Sequence, residues 1–202
     1  MKEKILDIAT DLFLSYGFKS VTMDDIAHKM GISKKTIYQH YPNKTQLVEA
    51  TTMHTFGMIN SGIDNICELK KNPIEEIYDI KQFVMDHLKD EKSSPQYQLQ
   101  KYYPKIFTTL KAKQFEVMLD CVSENLNRGI ELKLYRETID VEFISKIYFA
   151  GVMSIKDNDI FSPQKFSKKI LMEYFLEYHL RGICTTKGLE KLNMIIDKKQ
   201  LI

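Results

Sequence analysis

Ser33 and the seven residues that follow it, Lys34-Lys35-Thr36-Ile37-Tyr38-Gln39-His40, can all donate hydrogen bonds from their side chains except Ile37. This combination suits a nucleic acid. Lys34 and Lys35 can neutralise phosphates or donate to guanine O6 and N7, Gln39 can pair bidentately with adenine, and the Tyr38 hydroxyl and His40 can reach backbone phosphates. Lys44 extends the same surface. Charge is placed accordingly: residues 1–25 hold three lysines against five acids, whereas residues 26–48 hold Lys29, Lys34, Lys35 and Lys44 with no acid. The remaining basic and acidic residues, 22 of each, cancel. A local basic block in a nearly neutral chain is sufficient for a small phosphate-binding surface. Each residue also has a plainer reading, with Tyr38 as a core aromatic, His40 as a turn residue and Gln39 as an indifferent surface position.

Such a surface needs elements to hold it. Ile5, Leu6, Ile8, Ala9, Leu12, Phe13 and Tyr16 recur at steps of three and four, which predicts an amphipathic helix over 2–16 that stops at Gly17. Thr22, with Asp25 three residues on, predicts a capped second helix ending at Gly31. Ser33 caps a third helix, closed by Pro42. Two short helices joined by a Gly-containing turn form a helix-turn-helix, with Ile26, Ala27, Met30, Ile32 and Ile37 as its small core.

The rest of the chain also reads as helical. A long helix beyond Asn43 reaches the Lys70–Pro73 break. Helices follow from Pro73 to about Lys89, from the Asp90–Pro95 turn to Tyr103, and from Pro104 to about Arg128. A loop from Gly129 to Asp140 precedes a helix to Lys156, the break 157–163, a long helix to Arg181 and a terminal amphipathic piece near 188–198. No stretch with period-two alternation competes as a strand. The expected fold class is all-α.

The stretch from Lys4 to Leu47, including Tyr16-Gly17-Phe18, Thr22, Asp25-Ile26-Ala27, Gly31-Ile32-Ser33, Thr36-Ile37-Tyr38-Gln39-His40-Tyr41-Pro42-Asn43-Lys44, closely resembles the DNA-binding head of the TetR family of bacterial transcriptional regulators. The resemblance implies that Ser33, Lys34, Lys35, Thr36, Tyr38, His40 and Lys44 face DNA, with Thr22 near a phosphate. One departure is Thr45, where the family often has an acid. The implied organisation is a head over 1–46 and a helical effector-binding and dimerisation domain over 47–202. Its partners would be a double-stranded DNA operator, a second copy of the chain and a small, lipophilic effector. Aromatic and Met residues suited to an effector pocket are Phe56, Phe83, Tyr103, Phe107, Met118 and Tyr148, with His87 as a polar group, although such residues also serve as core packing. The resemblance also implies a four-helix dimer interface from the last two long helices. Ile144, Ile147, Gly151, Phe166, Ile170, Tyr174 and Tyr178, together with Tyr148, Leu171 and Phe175, supply apolar helix surface for it.

Other classes find little footing. No apolar run approaches the roughly 18 to 20 residues needed to span a bilayer, and early charges break any signal-peptide pattern, so a cytoplasmic protein is expected. Cys67, Cys121 and Cys184 are odd in number, widely spaced and outside any Cys-x-x-Cys arrangement, which predicts reduced, buried small hydrophobes without redox or metal function. No nucleophile–base pair, Gly-rich phosphate loop or metal spacing supports an enzyme, and no cofactor or metal is expected.

Overall fold

The computed structural model describes residues 1–89 and 94–200 and contains ten helices among them. The expected Asp90–Pro95 turn lies largely outside the described residues. By chain contacts the molecule forms two compact units, one of Met1–Ser61 with Met85–Lys113, the other of Gly62–Val84 with Gln114–Ile202.

In the first unit, α1 (Lys2–Tyr16), α2 (Met23–Met30) and α3 (Lys34–His40) pack around Ile5, Ala9, Phe13, Ile26, Ala27 and Ile37. Ile5, Ala9 and Phe13 fall four apart on α1, while α2 contributes the adjacent pair Ile26 and Ala27 and α3 the single anchor Ile37, so each helix turns one apolar face inward. Gly31 ends α2 in the left-handed conformation at φ 64°, and its N–H donates to the carbonyls of Ala27 and His28. A side chain is disfavoured there, so glycine makes the tight turn into α3. The start of α4 (Lys44–Glu68) closes this core with Leu47 and Val48. Leu99 of α6 (Pro95–Tyr102) and Ile106 and Leu110 of α7 (Pro104–Glu131) belong to the same core. These last residues are distant in sequence.

The second unit contains the end of α4, most of α5 (Pro73–His87), the remainder of α7, α8 (Val141–Lys156), α9 (Lys168–Ile183) and α10 (Thr186–Gln200). Its core includes Ile74, Tyr78, Leu126, Tyr135, Val152, Leu176, Leu180 and Leu192. Gly129 does not open a loop as expected; α7 continues to Glu131. A Cβ at Gly129 would lie 2.0 Å from the Tyr135 ring, so this glycine marks a close approach instead of a stop. Helix α9 likewise begins later than Pro163, because Ser167 is its cap and accepts from the Ile170 N–H at 3.2 Å.

A polar seam runs through this unit. Successive positions of α7 meet successive positions of the α4–α5 segment: Cys121 meets Cys67, Glu124 pairs with Lys70, Asn125 donates to the Pro73 carbonyl, and Arg128 pairs with Glu76. The buried Glu76 carboxylate also accepts from Asn125 Nδ2 at 2.9 Å, and the Tyr135 hydroxyl donates to Asn125 Oδ1. Wide sequence separation misled the reading of two cysteines. Cys67 and Cys121 are free and half-buried with their sulfurs 3.8 Å apart, while Cys184 is buried.

Candidate nucleic-acid interface

Capping sets the direction of both short helices. Thr22 Oγ1 accepts from the Asp25 N–H at 3.1 Å, and Asp25 Oδ2 accepts from the Thr22 N–H at 2.7 Å, a reciprocal box that fixes the first turn of α2. The Thr22 amide and hydroxyl hold the Asp25 carboxyl below the usual carboxylate range. At α3, Ser33 Oγ accepts from the Thr36 N–H at 3.1 Å, and the two hydroxyls lie 2.9 Å apart. Ser33 and Thr36 therefore spend side-chain hydrogen bonds on the helix start, and Thr22 does the same on α2.

Ile37 is fully buried and anchors α3, leaving Lys34, Lys35, Tyr38 and Gln39 exposed and Thr36 and His40 half-buried. Tyr38 is thus no core aromatic, since 41% of it is exposed. Its ring lies beneath Lys34, whose Nζ is 6.0 Å from the ring centroid. The sequence block 26–48 is free of acid, yet its surface is not. Asp24 of α2 accepts from Lys34 Nζ at 2.6 Å and, by that hydrogen bond, raises the lysine's proton affinity. Asp24 was missed because it precedes the block, and the signal that could have found it is its place in the first turn of α2, beside the turn that leads to α3.

Lys44 sits differently from the α3 lysines. Its Nζ donates to the Lys19 carbonyl at 3.4 Å, and partial burial lowers its pKa. Thr45 costs the start of α4 little, because Asn43 Oδ1 caps that helix by accepting from the Gln46 N–H at 2.9 Å.

The aromatic set expected to hold an effector is divided between the units. Phe56, Tyr103 and Phe107 pack against the first core, where Tyr103 meets Phe18 edge-on, and His87 is exposed. Met118 and Tyr148 pack against the second, and the Phe83 ring lies over Gly62 within that same unit. Tyr148 stands edge-on to His179, a histidine that no motif in the sequence singles out. Burial lowers the His179 pKa to about 4.

On α8, α9 and the segment before α9, Ile147, Phe166, Ile170, Tyr174 and Tyr178 are exposed, Tyr174 by 64% and Tyr178 by 79%. Phe143 joins them. Ile144 and Phe175 pack against the core and Leu171 is part of it, so these three serve the monomer. Gly151 also has a role inside the chain, since a Cβ there would lie 2.2 Å from the Phe175 ring.

Residues 5–51 match the family model described as bacterial regulatory proteins, tetR family. The biofilm operon icaADBC HTH-type negative transcriptional regulator IcaR of Staphylococcus aureus (strain Newman) is 36% identical over 61 residues, 30% of this chain and 33% of that protein. The match thus spans about a third of the length of that curated relative. A TetR-family transcriptional regulator from Agrobacterium tumefaciens superposes with a TM-score of 0.71 at 19% identity, covering 91% of this chain and 97% of that one. SmeT, the repressor of the Stenotrophomonas maltophilia multidrug efflux pump SmeDEF, gives 0.69 at 17% identity over 93% and 92% of the two chains. A SmeT–triclosan complex gives 0.63 at 18% identity, covering 93% of each. At these identities the structural likeness is one of fold.

Proposed function

We propose that the chain is a DNA-binding transcriptional regulator of the TetR family, as the match over residues 5–51 supports, and that it is a repressor, acting as a homodimer on a near-palindromic operator and released by a small molecule. The observation that carries the reading is α3 itself. One buried anchor, Ile37, and a Ser33 cap leave two lysines, a tyrosine and a glutamine exposed along a helix of seven residues. Lys34 and Lys35 lie in the first turn, where the helix dipole favours phosphate, and Gln39 lies farther along, in place to read a base edge.

In this reading residues 1–46 are the DNA-binding head and 47–202 the effector and dimerisation part. Ser33, Thr36 and Thr22 position the surface through their caps while Lys34, Lys35, Tyr38, His40 and Lys44 meet the backbone. The exposed apolar residues of α8 and α9 support a second copy as partner, since a monomer rarely leaves so many large side chains in water. Two heads on a two-fold axis call for half-sites about one helical turn, roughly 34 to 36 Å, apart.

Repression is favoured by IcaR, a negative regulator. Control by a small molecule is favoured by the existence of a complex of SmeT with triclosan. A ligand that binds the DNA-free arrangement more tightly shifts the population through α4, and by linkage operator must weaken ligand binding by the same factor. An activator or a regulator without ligand is the neighbouring reading. Selection of duplexes from a random pool, followed by affinity measurements from 50 to 200 mM salt, tests the core claim. A recovered dyad motif with steep salt dependence supports it, and salt-insensitive or motif-free binding overturns it.

A further inference from the structure

Cys67 lies one residue before the end of α4, and Cys121 lies in the middle of α7. Their sulfurs are 3.8 Å apart, in van der Waals contact. The two elements are held together on the same side of this contact by the Lys70–Glu124 ion pair at 2.7 Å and by the Asn125 bond to the Pro73 carbonyl at 2.9 Å. A disulfide needs its sulfurs about 2.05 Å apart, so closure requires them to converge by ~1.8 Å. Cys184 is buried and has no cysteine beside it among the described residues.

We infer that Cys67 and Cys121 form an oxidative modification site at which a hydroperoxide converts the two thiols into an intrachain disulfide. Cys67 is the attacking residue because it is the less deeply buried of the two. Its thiolate attacks the terminal peroxide oxygen, the O–O bond breaks, and the departing alkoxide or hydroxide takes a proton to leave as alcohol or water. The resulting Cys67 sulfenic acid is then attacked by the Cys121 sulfur. The S–O bond breaks, and hydroxide leaves as water with the Cys121 proton. The two thiols together lose two electrons, and the peroxide gains them. Burial pushes both thiols up, Cys121 further, so little thiolate is present at neutral pH and the reaction is slow.

The disulfide would staple the end of the helix that begins beside α3 to α7. If the DNA-binding reading above holds, this restrains α4 and changes operator affinity. The test uses the full chain, reduced and desalted, then exposed to hydrogen peroxide or tert-butyl hydroperoxide. The expected result is a fall from three titratable thiols to one, a Cys67–Cys121 linked peptide lighter by two hydrogens, no covalent dimer, and reversal by dithiothreitol. Cys121→Ser should instead leave a Cys67 sulfenic acid that dimedone traps. Three persisting thiols under conditions that oxidise glutathione, or links through Cys184, would overturn the site, and mapping on the unmutated chain decides this even if a variant fails to fold. Affinity for a selected duplex is read separately. A change reversed by dithiothreitol supports the regulatory consequence, and equal binding by mapped disulfide and dithiol forms overturns it. DNA binding by neither form would place the failure in the DNA-binding reading, with the chemistry still decided by the peptide map.

Discussion

Lys34 donates to Asp24 across 2.6 Å, so a lysine of the exposed α3 surface is tied to an acid of the preceding helix. Both side chains are exposed to solvent, so the pair is weak and easily exchanged for a phosphate. Asp24→Asn should therefore free Lys34 and raise DNA affinity roughly two- to five-fold per head without altering base preference. Lys34→Ala should lower the salt slope by about one unit per head. Fluorescence anisotropy over a salt series reads both, and unchanged affinity in Asp24→Asn would show that Lys34 does not exchange its partner on DNA.

Gln39 is exposed on α3 and separated by one residue from the buried Ile37, so it projects away from the head's core. Gln39→Ala should relax preference at one symmetric pair of operator positions, at a cost of roughly 1 to 3 kcal/mol per half-site, and leave the salt slope intact. A mutant binding-site matrix identical to that of the unmutated chain would make Gln39 a spectator.

The head was legible in the sequence because its determinants are local. Thr22 with Asp25, Gly31 with Ala27 and His28, and Ser33 with Thr36 all act within four residues of their partners, so capping chemistry locates them. Contacts between distant residues were not legible. Asp24 and Lys34 are ten residues apart on different helices, and Cys67 and Cys121 are 54 apart, which no spacing motif describes. Gly129 is ambiguous in sequence because a glycine that ends a helix and one that admits a neighbouring ring have the same local appearance. The apolar residues of α8 and α9 followed a helical period, but period alone did not separate Ile144, turned inward, from Ile147, turned out.

Tyr174 and Tyr178 lie one turn apart on α9 and are the most exposed of its large hydrophobic side chains. If they form the seam between two copies, Tyr174→Asp with Tyr178→Asp should dissociate the dimer, because two charges would be buried without partners. Exposure means that the monomer's own fold should survive, with an unchanged helical spectrum. Gly151→Leu is a poorer probe, since the added side chain would first collide with Phe175. Analytical ultracentrifugation decides the matter, and a dimeric double mutant would move the interface elsewhere.

His179 is buried beside Tyr148 and Phe175, and burial lowers its pKa from 6.5 to about 4. The unfolded chain therefore binds a proton at this residue between those values while the folded chain does not. Stability from this source is full above about pH 7 and is lost as pH falls towards 4. Between pH 7.5 and pH 5 the loss is about 2 kcal/mol by linkage. Urea unfolding at both pH values should show this loss in the unmutated chain and a smaller one in His179→Phe. Equal pH dependence in the two proteins would remove His179 as the cause.

Glu76 is the most deeply buried acid described, its side chain 2% exposed, and it holds Arg128 at 2.6 Å while accepting from Asn125. Removing one partner of such a pair leaves the other charge without compensation, which costs about 3 to 5 kcal/mol, whereas replacing both by apolar groups costs far less. Glu76→Leu alone should accordingly destabilise the chain by about that amount, and Arg128→Met alone by a similar amount. The combination Glu76→Leu with Arg128→Met should recover much of the loss. A double mutant as unstable as the sum of the singles would show that the two charges act independently and that the seam between α5 and α7 is held by packing.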